Sequence, residues 1–249
     1  MTDFSILKFM DNKNFIRHWL LGKRFLAILI VIAAMFFASG CAIIPFLSAS
    51  CPKHDSATHF CDARDGKIYK YAAIGEQIWM AENLNYNAPD SKCGGTDGDL
   101  KDKRTANCDK YGRLYNWETA KTVCPAGWLI PSNADWDKLF RFADGTTGAS
   151  SLCESPTAGK YLKAANGWNA SSVSGNGEDK FGFAALPGGY GNSSGFFGNS
   201  GKGGYWWSSS EYNVTDAYSR LMYYSNENAS WYNNIKATLF SVRCLKESD

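Results

Sequence analysis

The stretch Phe25–Phe37, FLAILIVIAAMFF, is continuously apolar, and the residues before it carry Lys8, Lys13, Arg17, Lys23 and Arg24 against only Asp3 and Asp11. A basic lead followed by an apolar run is the pattern of a secretory signal, so the bulk of the chain is expected outside the cytoplasm. Export constrains the fold more than any other feature, because it changes what the cysteines mean. Besides Cys41 there are seven: Cys51, Cys61, Cys93, Cys108, Cys124, Cys153 and Cys244. In an oxidising compartment these default to disulfides; since their number is odd, one is free or pairs with another chain. The export segment also accounts for the formal net charge of +2. Without its basic and acidic residues, 21 cationic side chains face 22 anionic ones, and this near-neutral remainder offers no basic stripe for nucleic acid.

The chain divides into a basic region (1–24), a signal or anchor (25–41), a linker (42–61) and a folded domain (62–249). Phe37–Cys41 reads FASGC, and small residues before a cysteine resemble a bacterial lipobox, in which Cys41 would receive diacylglycerol and become the mature N-terminus. Ala38 stands where such signals usually have Leu. The competing reading is a membrane helix, because the 23 residues Phe25–Leu47 contain no charge and are long enough to cross a bilayer. Met10 is a candidate alternative start. Either reading makes the membrane the first partner, through a lipid or a helix, with the domain anchored at the cell envelope.

Residues 42–61 show no sustained period and read as a tether. Beyond them, Lys67–Ile74 and Gln77–Met80 are β-prone runs around Gly75-Glu76, which suits a hairpin. The stretch that follows is polar and glycine-rich, and Cys93 and Cys108 bracket much of it, so a bond between them would tie a loop of a size that gains stability. Two helices come next. In YNWETAKTVC, Trp117, Ala120 and Cys124 fall on one helical face before Pro125. In PSNADWDKLFRFA, Ser132 and Asp135 are spaced like a capping box, and Trp136, Leu139, Phe140 and Ala143 form an apolar face. A short helical stretch runs through TAGKYLKAANGW, with Gly167 as its stop. After Trp168 the chain is rich in Gly, Ser, Asn and aromatics, as expected of short strands and turns, and AYSRLMYYS and ATLFSVRC return to strand character. The expected class is α+β, with two early helices packed on a loop-rich, mainly antiparallel sheet. The pairing of Cys51, Cys61 and Cys153 stays open, and so far Cys124 is either a reactive thiol or one end of a bridge.

The stretches DARDGKIYKYAAIGEQIWMAENLNY, YGRLYNWETA, CPAGWLIPSNADW, FGFAALPGGY, GYWWSSSE and SVRCLK resemble, in order, the Fibrobacter succinogenes major paralogous domain family over roughly residues 62–247. Leu129 and Ile130 stand where members usually have His and Leu, and Gly191 stands where an Arg commonly follows the GGY stretch, so no role of those residues carries over. Family members often sit behind lipoprotein signals, and the resemblance implies no established activity. WETAKTVC and GWLIPSNADWDKLFRF are also similar to the first two helices of the C-type lectin-like fold, including its formylglycine-generating enzyme branch. That resemblance implies a Cys124–Cys244 bridge from helix to final strand. Closing a loop of about 120 residues, the bridge would contribute about 4 kcal/mol by restricting the unfolded chain.

For function, the histidines exclude most. His18, His54 and His59 all precede residue 62, so no Cys–His or Ser–His–Asp arrangement and no histidine-ligated metal can form within the domain. Cys124 as a thiolate would need a cation such as Lys121, and the structural bridge is the stronger reading. The reactive cysteine pair of the formylglycine-generating enzymes has no counterpart. The carboxylates Asp135, Glu178, Asp179 and Glu211 are scattered and read as solvated charge rather than a glycosidase pair. Asp97–Lys103, DGDLKDK, hints at a calcium loop but lacks full EF-hand spacing, and the sugar-binding calcium motifs of C-type lectins are missing. The expectation is no catalysis, no metal and no cofactor. There remains an aromatic and amide-rich face running from Tyr190 to Tyr232. More than half of its rings are expected in the core, Trp206 or Trp207 among them. Tyr224–Asn234 is the expected contact surface, with Tyr224, Asn228, Trp231, Tyr232 and Asn233 as ligand-binding residues. Two functions are expected: a non-catalytic module binding extracellular polysaccharide, or a structural, adhesive envelope protein with a protein partner.

Overall fold

A computed structural model describes residues 49–95, 101–146 (the side chains of 101–103 excepted), 154–170, 172 and 175–247. The signal or anchor with Cys41, the leftover Cys153 and Asp97–Leu100 of the calcium-loop reading lie outside the described residues. The fold starts from the hairpin of β2 (Lys67–Ile74) and β3 (Gln77–Met80), whose register runs from Tyr71 opposite Met80 to Ile74 opposite Gln77. Gly75 supplies the positive φ of 61° that the two-residue turn needs. The segment read as a tether is structured from Ala49 on. Its β1 (His59–Asp62) pairs with β2, and Cys51 is bonded to Cys61.

Two larger sheets organise the domain. One runs β1-β2-β3-β13-β6, with β6 at Trp128–Leu129 and β13 at Leu245–Lys246. The other runs β11-β10-β9-β12-β5-β4. Its members are β4 (Lys92–Cys93), β5 (Arg113–Tyr115), β9 (Gly203–Glu211), β10 (Asp216–Tyr223), β11 (Ala229–Ile235) and β12 (Phe240–Ser241). Every pairing is antiparallel except that of β12 with β9. A small hairpin, β7 (Tyr190–Gly191) with β8 (Phe197–Gly198), completes the strands. The class is thus α+β, dominated by strands.

The helices differ from expectation in three ways. The polar stretch before Arg113 holds α1 (Lys101–Tyr111), which no apolar period announces. Cys108 on this helix is bonded to Cys93 on β4, so the disulfide supplies the attachment that an apolar face would otherwise give. The helix expected to reach Cys124 stops early: α2 is Trp117–Ala120, capped by Asn116, whose side chain accepts from the Thr119 N–H. Thr122 and Val123 are β-branched and Cys124 precedes Pro125, which together disfavour helical backbone there. Likewise α4 covers only Ala158–Leu162, because Lys163 turns extended (ψ 141°) and Ala164 donates to Ala185 O. By contrast α3 (Asn133–Asp144) has the full capping box of Ser132 and Asp135, ends at a left-handed Gly145 and buries Trp136, Leu139, Phe140 and Ala143.

The core has two aromatic clusters. One surrounds Tyr69, Tyr115, Trp117, Trp207 and Phe240, and includes Cys244. The other gathers Trp79, Trp136, Phe140, Phe183 and Trp206 under α3 and α4. Trp206 and Trp207 are both buried, as neighbours on one strand that point to opposite faces. Between the clusters lies the fully buried Arg243. Its Nε and Nη2 donate to Asn83 Oδ1 at 3.1 and 2.7 Å, and its Nη1 donates to Phe183 O and, at 3.4 Å, to Met80 O. Asn83 Oδ1 also accepts from Trp206 Nε1 at 2.8 Å, while Asn83 Nδ2 donates to Tyr111 O. One amide therefore joins the early loop, β9 and the closing segment. Burial draws the Arg243 pKa down to about 9, which still leaves it charged at neutral pH.

Candidate functional site

Cys124 carries no thiolate chemistry, because it is bonded to Cys244 with an S–S distance of 2.07 Å. Lys121 is turned elsewhere, over the Trp117 ring at 4.2 Å and toward Glu118 at 2.8 Å. With Cys51–Cys61 and Cys93–Cys108, this bond marks a domain that matures in an oxidising, extracytoplasmic environment. Among the described residues no helix is long and apolar enough to cross a membrane.

The scattered carboxylates each hold local structure. Asp135 closes the α3 cap. Glu178 lies 3.6 Å from Lys160. Asp179 accepts from the Ala184 N–H at 2.7 Å, and burial raises its pKa. Glu211 pairs with Lys236, a contact that holds its carboxyl below the usual range. Among the described residues no group of three His, Cys, Asp or Glu side chains is placed to hold a metal.

The five residues expected to bind ligand lie on or beside β11, the edge strand of its sheet, which pairs with β10 and, at Ala229, bonds to Ser155. The pleat divides them. Trp231 stands opposite Arg220 and Asn233 opposite Tyr218, so these share one face. Tyr232 stands opposite Ser219 on the other face. Tyr224 and Asn228 belong to the turn between the strands, and Tyr224 is partly buried against the cluster beneath α3 and α4. The stretch is therefore divided between two faces and a turn. Of the other aromatic residues weighed, Phe197, Trp206 and Trp207 are buried, and Tyr190 and Tyr205 pack against the first cluster.

A different set of rings comes together around Trp231. Tyr218 meets Trp231 edge-on at 5.5 Å, and Tyr212 meets Tyr218 edge-on at 5.3 Å. Tyr212 is 49% exposed, and Trp231 and Tyr218 are half-buried. The row opens because β9 bulges away from β10 there: the register jumps between Ala217–Glu211 and Ser219–Trp207, and the Ser209 N–H donates to Pro131 O at 2.8 Å instead. Below the row Arg220 is fully buried, 3.1 Å from both Asp137 and Asn133 Oδ1, which fixes β10 against α3. Tyr218 was not singled out from the sequence, although its two-residue offset from Arg220 on a strand is the signal that places it beside Asn233.

The turn joining β10 and β11 is held from beneath by Lys163. This buried ammonium donates to Tyr223 O at 3.2 Å and Asn226 O at 2.8 Å, and lies 5.2 Å from the Trp168 ring. Burial without a close carboxylate lowers its pKa to about 8. The site is thus a fixed sheet edge carrying three linked rings, with amides at its margin. That chemistry stacks on flat apolar surfaces and hydrogen-bonds to hydroxyls.

The family model described as the Fibrobacter succinogenes major domain matches residues 72–246. No curated protein and no solved structure matches the chain.

Proposed function

Because the chain belongs to the Fibrobacter succinogenes major domain family, we propose that it is a non-catalytic, envelope-anchored module that binds extracellular polysaccharide. The observation that carries this reading is the open row Tyr212–Tyr218–Trp231 on the β10–β11 edge. Sugar rings present apolar C–H faces that stack on such side chains, and the Asn233 amide beside Tyr218 has both donors and an acceptor for hydroxyls. Tyr218 and Trp231 lie on paired strands and Tyr212, just past β9, has its N–H bonded to Asp216 O, so little ordering opposes binding. The link from Cys124, which follows α2, to Cys244 ahead of the last strand supports a C-type lectin-like arrangement as the finer fold. A lipid on Cys41 is the anchor in this reading. An intact mass lacking residues 1–40 and carrying a diacyl adduct supports it, and an unprocessed N-terminus refutes it.

The direct test is a glycan array and an insoluble-cellulose pull-down with the full chain. Binding is expected, and it should fall about tenfold in Trp231→Ala and in Tyr218→Ala, the loss of one stacking contact. Tyr232→Ala, on the opposite face, should bind like the parent. Absence of binding to any plant or bacterial glycan, or equal loss in all three variants, refutes the assignment to this row.

A further inference from the structure

We propose that a second ligand surface, apart from the aromatic row, takes a carboxylate-bearing sugar chain in the groove between α1, the β4–β5 edge and the β7–β8 turn. Two adjoining cavities of about 460 and 400 Å3 share Lys92, Asn192 and Ser193, so they form one trough within the usual size range of ligand sites. The smaller cavity is lined by Lys92, Arg104 and Arg113 and, among the described residues, by no carboxylate.

These cations are not consumed by the fold. Arg113 reaches the Ser91 carbonyl and hydroxyl only at 3.4 Å each, through one nitrogen. Arg104 sits 5.6 Å from the Phe197 ring, and Lys92 is exposed. Two guanidinium forks with unspent donors, beside an ammonium, are a carboxylate receptor. The groups around them recognise hydroxyls. Asn192 spends its Oδ1 inside the turn, accepting from Ser194 N, Ser194 Oγ and Phe196 N, which leaves its two N–H donors for a ligand. In the neighbouring cavity Asn116 likewise spends its Oδ1 on the Thr119 N–H. Cationic contacts clustered at one end of a trough whose other end carries Asn116, Asp90, Glu118 and Lys236, groups that hydrogen-bond to hydroxyls, fit a chain of sugars better than a lone anion. The walls are also preset. Arg104 lies one turn before Cys108 on the same helical face, and Cys108 is bonded to Cys93 in the facing strand. A ligand entering there has no wall to order first.

The test uses the full chain with polygalacturonate, its fully methyl-esterified form and inorganic phosphate, read by titration calorimetry. Polygalacturonate should bind and weaken as salt rises, and the ester should not bind. Arg104→Gln and Arg113→Gln should each lose about tenfold, as expected for a charge-assisted hydrogen bond. The exposed Lys92→Gln serves as a third variant that does not endanger folding, and it should also weaken binding. Tyr218→Ala should leave polygalacturonate binding intact, so this proposal and the aromatic-row reading fail separately. Equal binding of the ester, unchanged binding in all three charge variants, or displacement of the polymer by an equal concentration of phosphate overturns it.

Discussion

The centre of the domain and its β10–β11 edge each bury a cation without a close carboxylate, yet they hold it on different terms. At the centre Arg243 is gripped by Asn83 and the carbonyls of Phe183 and Met80, next to the Cys124–Cys244 bond. At the edge Lys163 is gripped by two carbonyls of a single turn. Arg243 ties together segments 160 residues apart in sequence, whereas Lys163 secures one connection. Burial lowers the pKa of both cations, to about 9 for the Arg243 guanidinium and about 8 for the Lys163 ammonium, so Arg243 holds its charge further above neutral pH. At neutral pH the centre is therefore held by a cation further from its titration than the one that secures the surface displaying rings.

The largest expected effect lies at the centre. Replacing both Cys124 and Cys244 by Ser should cost about 4 kcal/mol in urea unfolding, the restriction of a loop this long. A loss below about 1 kcal/mol would break the contrast between centre and edge. Next comes Asn83→Leu, which takes two hydrogen bonds from the buried Arg243 and one from Trp206. It should cost about 3 kcal/mol, as when a buried charge loses its partner, while any folded fraction keeps its rings at the edge.

The smallest effect is a pH slope. The folded pKa of Lys163, about 8, lies below its ordinary 10.5, so across that interval the native state holds fewer protons than the unfolded chain. Stability from this group therefore rises with pH from about 8 toward 10.5. Above pH 10 the buried Tyr69, whose pKa burial pushes well up, acts in the opposite sense, and from about pH 9 Arg243 acts in the same sense as Lys163, so the window that isolates the amine is 8 to 9. Unfolding free energies measured across that window should rise in the parent and stay flatter in Lys163→Met. Equal slopes would show that the turn is not held by a titrating amine.

The same contrast explains what a single sequence could reveal. The hairpin turn at Gly75 and the Ser132–Asp135 cap were legible because each is written within four residues. The α1 helix was not, since its residues carry no apolar stripe and its attachment is a bond to a cysteine fifteen positions earlier. Asn83 and Arg243 looked ordinary because their partners lie far along the chain. At the edge, residues grouped by sequence proximity were separated by the strand pleat. Trp231 kept its place in a ring cluster, Tyr232 went to the other face, and the rings that joined Trp231 came from another strand.

The positions of β12 and β13 have a consequence for how such a domain matures. They are the last strands in chain order, yet each lies inside its sheet, β12 between β9 and β5 and β13 between β3 and β6. A polypeptide made amino end first cannot close either sheet until those final segments are available. Its earlier strands must wait with open edges, and premature closure of the domain is forestalled by topology alone.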